Sequence, residues 1–132
     1  MPLIIKFIRV GPGTDPLHPA KEEVKIPAGV LTRVWVYIPP GQMGLAHLVI
    51  KHGQTQIIPW EGDISGDDEV LDFNEYLVFE TETTLTLEAW NEDSWYTRFF
   101  VVRLLILPQI IAAPLVILFR LFRKLLEVMG IE

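Results

Sequence analysis

Residues 99–129 read FFVVRLLILPQIIAAPLVILFRLFRKLLEVM. The segment begins with the composition of a strand and ends with the spacing of an amphipathic helix. Between the two lie sixteen uncharged residues, Leu104 to Phe119. After Pro108, Leu115, Leu118, Phe122, Leu125 and Met129 recur at alternating steps of three and four, the heptad spacing that gathers apolar side chains on one helix face. Arg120, Arg123, Lys124 and Glu127 fall largely on other sides, and Phe119 and Leu126 complete the candidate contact set. Arg123 and Glu127, four apart, are placed to pair weakly, and Gly130 is placed to end the helix. Pro114 is most comfortable in a first turn, which starts the helix near residue 113 and leaves 109–113 as a connector; a kinked helix from Pro108 is the alternative.

A chain of 132 residues is expected to form one domain with a real core of its own. It has no need of this much additional apolar surface at one end. The tail is therefore expected to pack outside its own core, against a sister subunit, a larger assembly or a bilayer. A spanning helix needs about 20 apolar residues, and the sixteen uncharged ones here include two prolines and a glutamine. The basic residues that follow do match a membrane flank, so a single-pass or interfacial anchor stands as the alternative to an oligomerisation helix. Packing of the tail across its own sandwich is the third possibility.

Upstream the pattern is β throughout. Val34, Val36 and Ile38 alternate with Arg33, Trp35 and Tyr37, the period of two of a strand with one buried face, and Pro39-Pro40-Gly41 stops it. Leu45 to Lys51 alternates likewise, with Ala46, Leu48 and Ile50 inward, and His52-Gly53-Gln54 has hairpin chemistry leading into Thr55 to Ile58. Leu3 to Val10, Glu22 to Ile26, Glu69 to Phe73, Tyr76 to Phe79, Thr83 to Trp90 and Trp95 to about Leu107 complete the set, separated by Gly, Pro, Asn and Asp turns. Strands at this spacing predict an all-β antiparallel sandwich or jelly-roll-like domain over residues 1–107, followed by a C-terminal α-helical segment over 108–132. The opening MPLIIKFIRVGPG is interrupted by Lys6 and Arg9 and reads as a strand rather than a signal peptide.

Half of the residues are hydrophobic, which fits an obligate assembly or a membrane contact. There is no cysteine, which excludes disulfides, thiolate zinc sites and cysteine catalysis and leaves the redox compartment open. The net charge of -6 is uneven: Glu61 to Asp93 holds twelve acidic residues and no Lys or Arg, while the last thirty-five residues hold five basic against two acidic. Such halves attract head to tail between subunits, although a solvated acidic face explains the same pattern. The only basic cluster, Arg120, Arg123 and Lys124, sits among Leu and Phe, which argues against nucleic acid as a partner.

Candidate chemistry is sparse. His18, His47 and His52 lack ligand spacing. Asp63, Asp67, Asp68 and Glu69, with Gly62 and Gly66, form an acidic loop with calcium-binding groups but without the EF-hand order. Asp67 and Asp68 are adjacent and so point to opposite faces of a strand, and Ser65 and Ser94 stand in no nucleophile motif. No catalytic, cofactor or metal residue is assigned. The aromatic residues Trp35, Tyr37, Trp60 and Trp90 are candidates for a subunit interface or for a sugar-stacking platform.

The turn segments Ile26-Pro27-Ala28-Gly29, Ile38-Pro39-Pro40-Gly41 with Gly44-Leu45, His52-Gly53, and Trp90-Asn91-Glu92-Asp93 before Tyr96 resemble a family of small, mostly uncharacterised proteins of bacteriophage-like genomes. The resemblance spans about residues 26–103. It implies a β-sandwich head and a virion or virus-associated structural role, with no catalytic residues to carry over. The resulting expectation is a non-enzymatic building block of a homo-oligomer in a virion-like assembly, joined through its last strand and helix. A membrane-tethered ligand- or carbohydrate-binding sandwich is the alternative.

Overall fold

The structure, a computed structural model, describes residues 3–130, and their side chains except those of 109–117 and 119. Eight strands precede one helix: β1 (Leu3–Val10), β2 (Ala20–Ile26), β3 (Gly29–Ile38), β4 (Ala46–His52), β5 (Thr55–Ile58), β6 (Glu69–Phe79), β7 (Thr83–Asn91), β8 (Arg98–Leu107) and α1 (Gln109–Val128). β1 pairs with β8, β2 with β7, β3 with β6 and β4 with β5, all antiparallel. The strands thus form one long ribbon folded at the β4–β5 hairpin. Two further antiparallel pairings, β3 with β8 and β4 with β7, wind that ribbon into two sheets, ordered β1-β8-β3-β6 and β2-β7-β4-β5.

The inward-facing residues make one core. Val34, Val36 and Ile38 of β3 meet Leu48 and Ile50 of β4, Leu85 and Leu87 of β7, and Phe100 and Val102 of β8. Fully burying each such side chain contributes about 1.5–3 kcal/mol before entropy is subtracted, which is why period-two alternation dictates the fold. The β4–β5 hairpin turns on two residues, with Gly53 at φ +62, a left-handed angle that glycine adopts without strain. Gly29 (φ +152) lies so close to β8 that a Cβ there would stand 2.5 Å from the Leu107 carbonyl oxygen.

Two strands and the helix depart from the sequence expectation by more than one or two residues. Glu69 to Phe79 is one strand rather than two, because the register shift between Leu31 and Arg33 absorbs the polar residues near Asn74 as an irregularity within the ladder. β8 begins at Arg98 rather than Trp95, because the Asp93 carboxylate accepts hydrogen bonds from the backbone N–H groups of Trp95 (2.8 Å) and Tyr96 (3.3 Å) and holds them in a turn. The helix starts at Gln109, directly after Pro108, rather than near residue 113. A proline just before the first helical residue gives up no helical hydrogen bond, so Pro108 is as suitable a boundary as Pro114.

Candidate functional site

The two outer faces of the sandwich are chemically unlike. On the β2-β7-β4-β5 sheet the outward positions are mostly charged or polar, with Val49 and Trp90 the apolar exceptions on β4 and β7. Glu88 lies between Lys51 (2.7 Å) and Lys21 (3.5 Å), and Thr84 and Thr86 accompany it along β7. This is the ordinary solvated face of an antiparallel sheet.

On the β1-β8-β3-β6 sheet the outward positions are largely apolar. Leu3, Ile5 and Phe7 along β1 are between 49 and 60 % exposed. Their register partners on β8 are Leu105, Arg103 and Val101. The row Phe7–Val101–Tyr37–Val70 crosses all four strands without a charge. Toward β6 the face is partly covered by an ion pair between Arg33 and Asp72, with the Arg33 guanidinium also 4.8 Å from the Trp35 ring centre. The paired guanidinium holds the Asp72 carboxyl below its ordinary range and raises Arg33. At the edge, Lys6 turns inward to Glu22 of the opposite sheet (3.1 Å). An inward charge of this kind blunts an edge strand against further β-pairing.

The second apolar surface is α1. Leu118, Leu121, Phe122, Leu125, Val128 and Met129 are between 53 and 86 % exposed. At 3.6 residues per turn they share one side of the helix, opposite Arg120, Arg123, Lys124 and Glu127. Of the proposed contact set, Leu118, Phe122, Leu125 and Met129 are thus exposed and Leu126 half-buried, while the side chains of Leu115 and Phe119 lie outside the described residues. Among the described residues no helix is long and apolar enough to cross a membrane.

Polar side chains gather at two places. His47, on the outer side of β4, has Nδ1 2.8 Å from Asp63 Oδ1 and Nε2 3.4 Å from Glu92 Oε2, and its ring stacks on Trp90 at 5.3 Å. With the backbone bridge between Leu48 and Ile64, this fastens the 59–66 loop to β4. At one end of the sandwich, Gln42, Asn91 and Asp93 are buried polar residues. Asn91 donates from Nδ2 to the Tyr96 carbonyl (2.8 Å), its backbone N–H donates to Thr14 Oγ1 (2.8 Å), and its Oδ1 accepts from the Asp93 N–H (2.9 Å). Gln42 donates its N–H to Asp67 (2.9 Å) and its amide to the Phe99 carbonyl. These bonds order loops.

The acidic loop is dispersed: Asp63 goes to His47 and Asp67 to Gln42. Among the described residues no group of three or more His, Cys, Asp or Glu is placed to hold a metal ion, and no pocket forms. The four candidate aromatics are not brought together either. Trp35 and Tyr37 lie on the apolar outer face, Trp90 on the outer face of the other sheet, and Trp60 is exposed on a loop. The outward row Leu3, Ile5 and Phe7 did not enter the sequence reading of the contact surface. Its signal was there: LIIKFI and FFVVRLLIL are nearly continuous apolar runs, the pattern of strands covered on both faces.

No family model matches the chain, and no curated protein matches it. Among solved structures it is similar to the infectious bursal disease virus Gx strain structure, at 11% identity over 80% of this chain and 34% of that chain, with a TM-score of 0.33. It is similar to the Macrobrachium rosenbergii nodavirus P-domain at 9% identity, over 79% of this chain and 92% of that one, with a TM-score of 0.28. A structure of Bacillus endospore appendages, described as disulfide-linked pili, is similar at 10% identity over 77% and 85% of the two chains, with a TM-score of 0.23. The chain spans about a third of the length of the bursal disease virus chain. Likenesses this distant bear on neither family nor function.

Proposed function

We propose that this chain is a non-enzymatic structural protein, a sandwich subunit that assembles with copies of itself through its last strand and helix, in a viral or phage-like particle. The observation that carries the reading is α1, whose apolar side from Leu118 to Met129 is turned to solvent. Six large apolar side chains held in water are unfavourable unless a partner covers them, and burial at about 1.5–3 kcal/mol each is ample to hold an interface before association entropy is subtracted.

The particle setting is supported by the winding of the strands. Pairings β1–β8, β2–β7, β3–β6 and β4–β5 with sheets β1-β8-β3-β6 and β2-β7-β4-β5 suit a jelly roll, an architecture recurrent in viral capsid and lectin domains. The turn segments that resemble proteins of phage-like genomes agree with it. Fold alone does not select a function, so the proposal rests first on the helix.

The test is the mass of the full chain by light scattering, purified without detergent, against the same chain ending at Leu107. A defined oligomer that becomes a monomer on truncation supports the proposal, and a monodisperse full-length monomer overturns it. The basic residues opposite the apolar side of α1 favour a second reading, an interfacial membrane anchor. Full-length protein that is insoluble until detergent is added, beside a soluble truncated monomer, would select that anchor.

A further inference from the structure

We infer that the apolar side of α1 docks on the outer face of the β1-β8-β3-β6 sheet of a second copy, so that two subunits exchange helices across a two-fold axis. The inference rests on the assembly role proposed above and names the surface that receives the helix.

The chain carries two uncovered apolar surfaces of matching form. The seam from Leu118 through Phe122 and Leu125 to Met129 is about 16 Å long at 1.5 Å per residue. The β1 row from Leu3 to Phe7 is about 14 Å long at 3.4 Å per residue, and β8 lies alongside it in register. A helix laid on a sheet is the ordinary way for both elements to bury their apolar sides, and on this sheet Leu3, Ile5 and Phe7 are exposed. The opposite sheet is no rival, because Lys21, Lys51 and Glu88 occupy its outer face.

The occupant is another copy's helix because the chain's own helix lacks the connection to return. β8 ends at Leu107 and α1 begins at Gln109, which leaves Pro108 alone between them, held extended at φ -57 and ψ 140. Helices that fold back on the sheet they have just left use connections of about 2–6 residues. Pro108 therefore directs the helix away from its own sheet.

Reciprocal seating also closes the assembly, since each copy gives one helix and covers one sheet, as an isologous dimer requires.

The absence of cysteine makes the test direct. Full-length chains bearing Phe122→Cys and chains bearing Ile5→Cys are mixed and oxidised mildly, and the masses of untreated Phe7→Asp, Leu3→Lys and Phe122→Asp chains are measured by light scattering with circular dichroism as the check on folding. The expected result is a disulfide between the two different chains, and a mass that halves for every charged variant with the β signature retained. Phe7→Asp and Leu3→Lys chains that stay dimeric while Phe122→Asp dissociates would overturn the docking and leave the assembly role standing, with the helices meeting each other instead. A doubly substituted Ile5→Cys, Phe122→Cys chain that closes within one monomer would overturn the exchange in favour of a folded-back helix. A wild-type chain that is monomeric, or that needs detergent, overturns the docking and the assembly role together.

Discussion

Asp93 and Arg98 form an ion pair five residues apart across the turn that leads from β7 into β8, with side chains only 8 % and 15 % exposed. The same Asp93 carboxylate accepts the Trp95 and Tyr96 N–H groups, and its own carbonyl accepts from Gly13, so one residue fixes both the turn and the loop after β1. The Trp95 N–H, and after it the Arg98 guanidinium, holds the Asp93 carboxyl below its ordinary range.

A depressed carboxylate gives the sign of a pH effect. Because the folded-state value lies below the unfolded one, about 3.9 for Asp, the stabilisation is fully present above that pH. It is lost as the pH falls through the depressed value. Asp93→Asn is expected to lower stability at neutral pH and to flatten its decline in acid. Urea midpoints measured between neutral pH and acid check both effects, and an unchanged acid limb would assign the decline to other carboxylates such as Asp72.

Asn91 is wholly buried and joins the loop after β1 to the turn before β8. Asn91→Ala removes the side-chain amide and leaves the Tyr96 carbonyl and the Asp93 N–H without their partners. A loss of about 1–3 kcal/mol is expected from urea unfolding. Asn91→Asp should be no better, since a carboxylate cannot donate to the Tyr96 carbonyl.

At Gly29 both the backbone angle and the nearness of the Leu107 carbonyl oppose any side chain. Gly29→Ala must push β3 from β8 at the point where the chain leaves for the helix. We expect a lowered melting temperature, with the loss concentrated in the amide exchange protection of Val30 and Leu107.

Phe100 is among the largest fully buried side chains and meets both sheets' core residues. Phe100→Ala is expected to cost about 3–5 kcal/mol, while Phe99→Ala, one residue earlier and facing out, should cost far less. Chemical denaturation of the two variants checks the assignment of faces on β8.

The tail should contribute little to the stability of one subunit, because the described core contains no residue of α1. A chain ending at Leu107 is expected to keep the circular dichroism of the sandwich. Loss of that signature on truncation would place the helix in the core.

Much of this architecture was legible because alternation at period two has one low-energy reading. Val34, Val36 and Ile38 are buried by β3 whatever its neighbours are. The heptad seam of α1 was readable for the same reason, as a property of spacing within one helix. Asn74 and Glu75 misled because polar residues in a short stretch mimic a turn, and only the pairing with β3 on the same edge keeps β6 continuous. Asn91 and Asp93 read as ordinary turn residues, since their burial comes from segments far away in sequence.

What the sequence by itself determined is local: which residues face together on a strand or helix, where turns must fall, and that a strongly apolar amphipathic helix follows the last strand. Tertiary structure decided which strands pair, that Lys21, Lys51 and Glu88 meet on the outer face of one sheet while the other sheet turns Leu3, Ile5 and Phe7 to solvent, and that His47 meets Asp63 rather than His52. The physical reason is range. Side-chain periodicity is set by backbone geometry within a few residues, whereas the partner of a strand and the cover of a sheet are chosen by contacts between segments that the chain must close long loops to bring together.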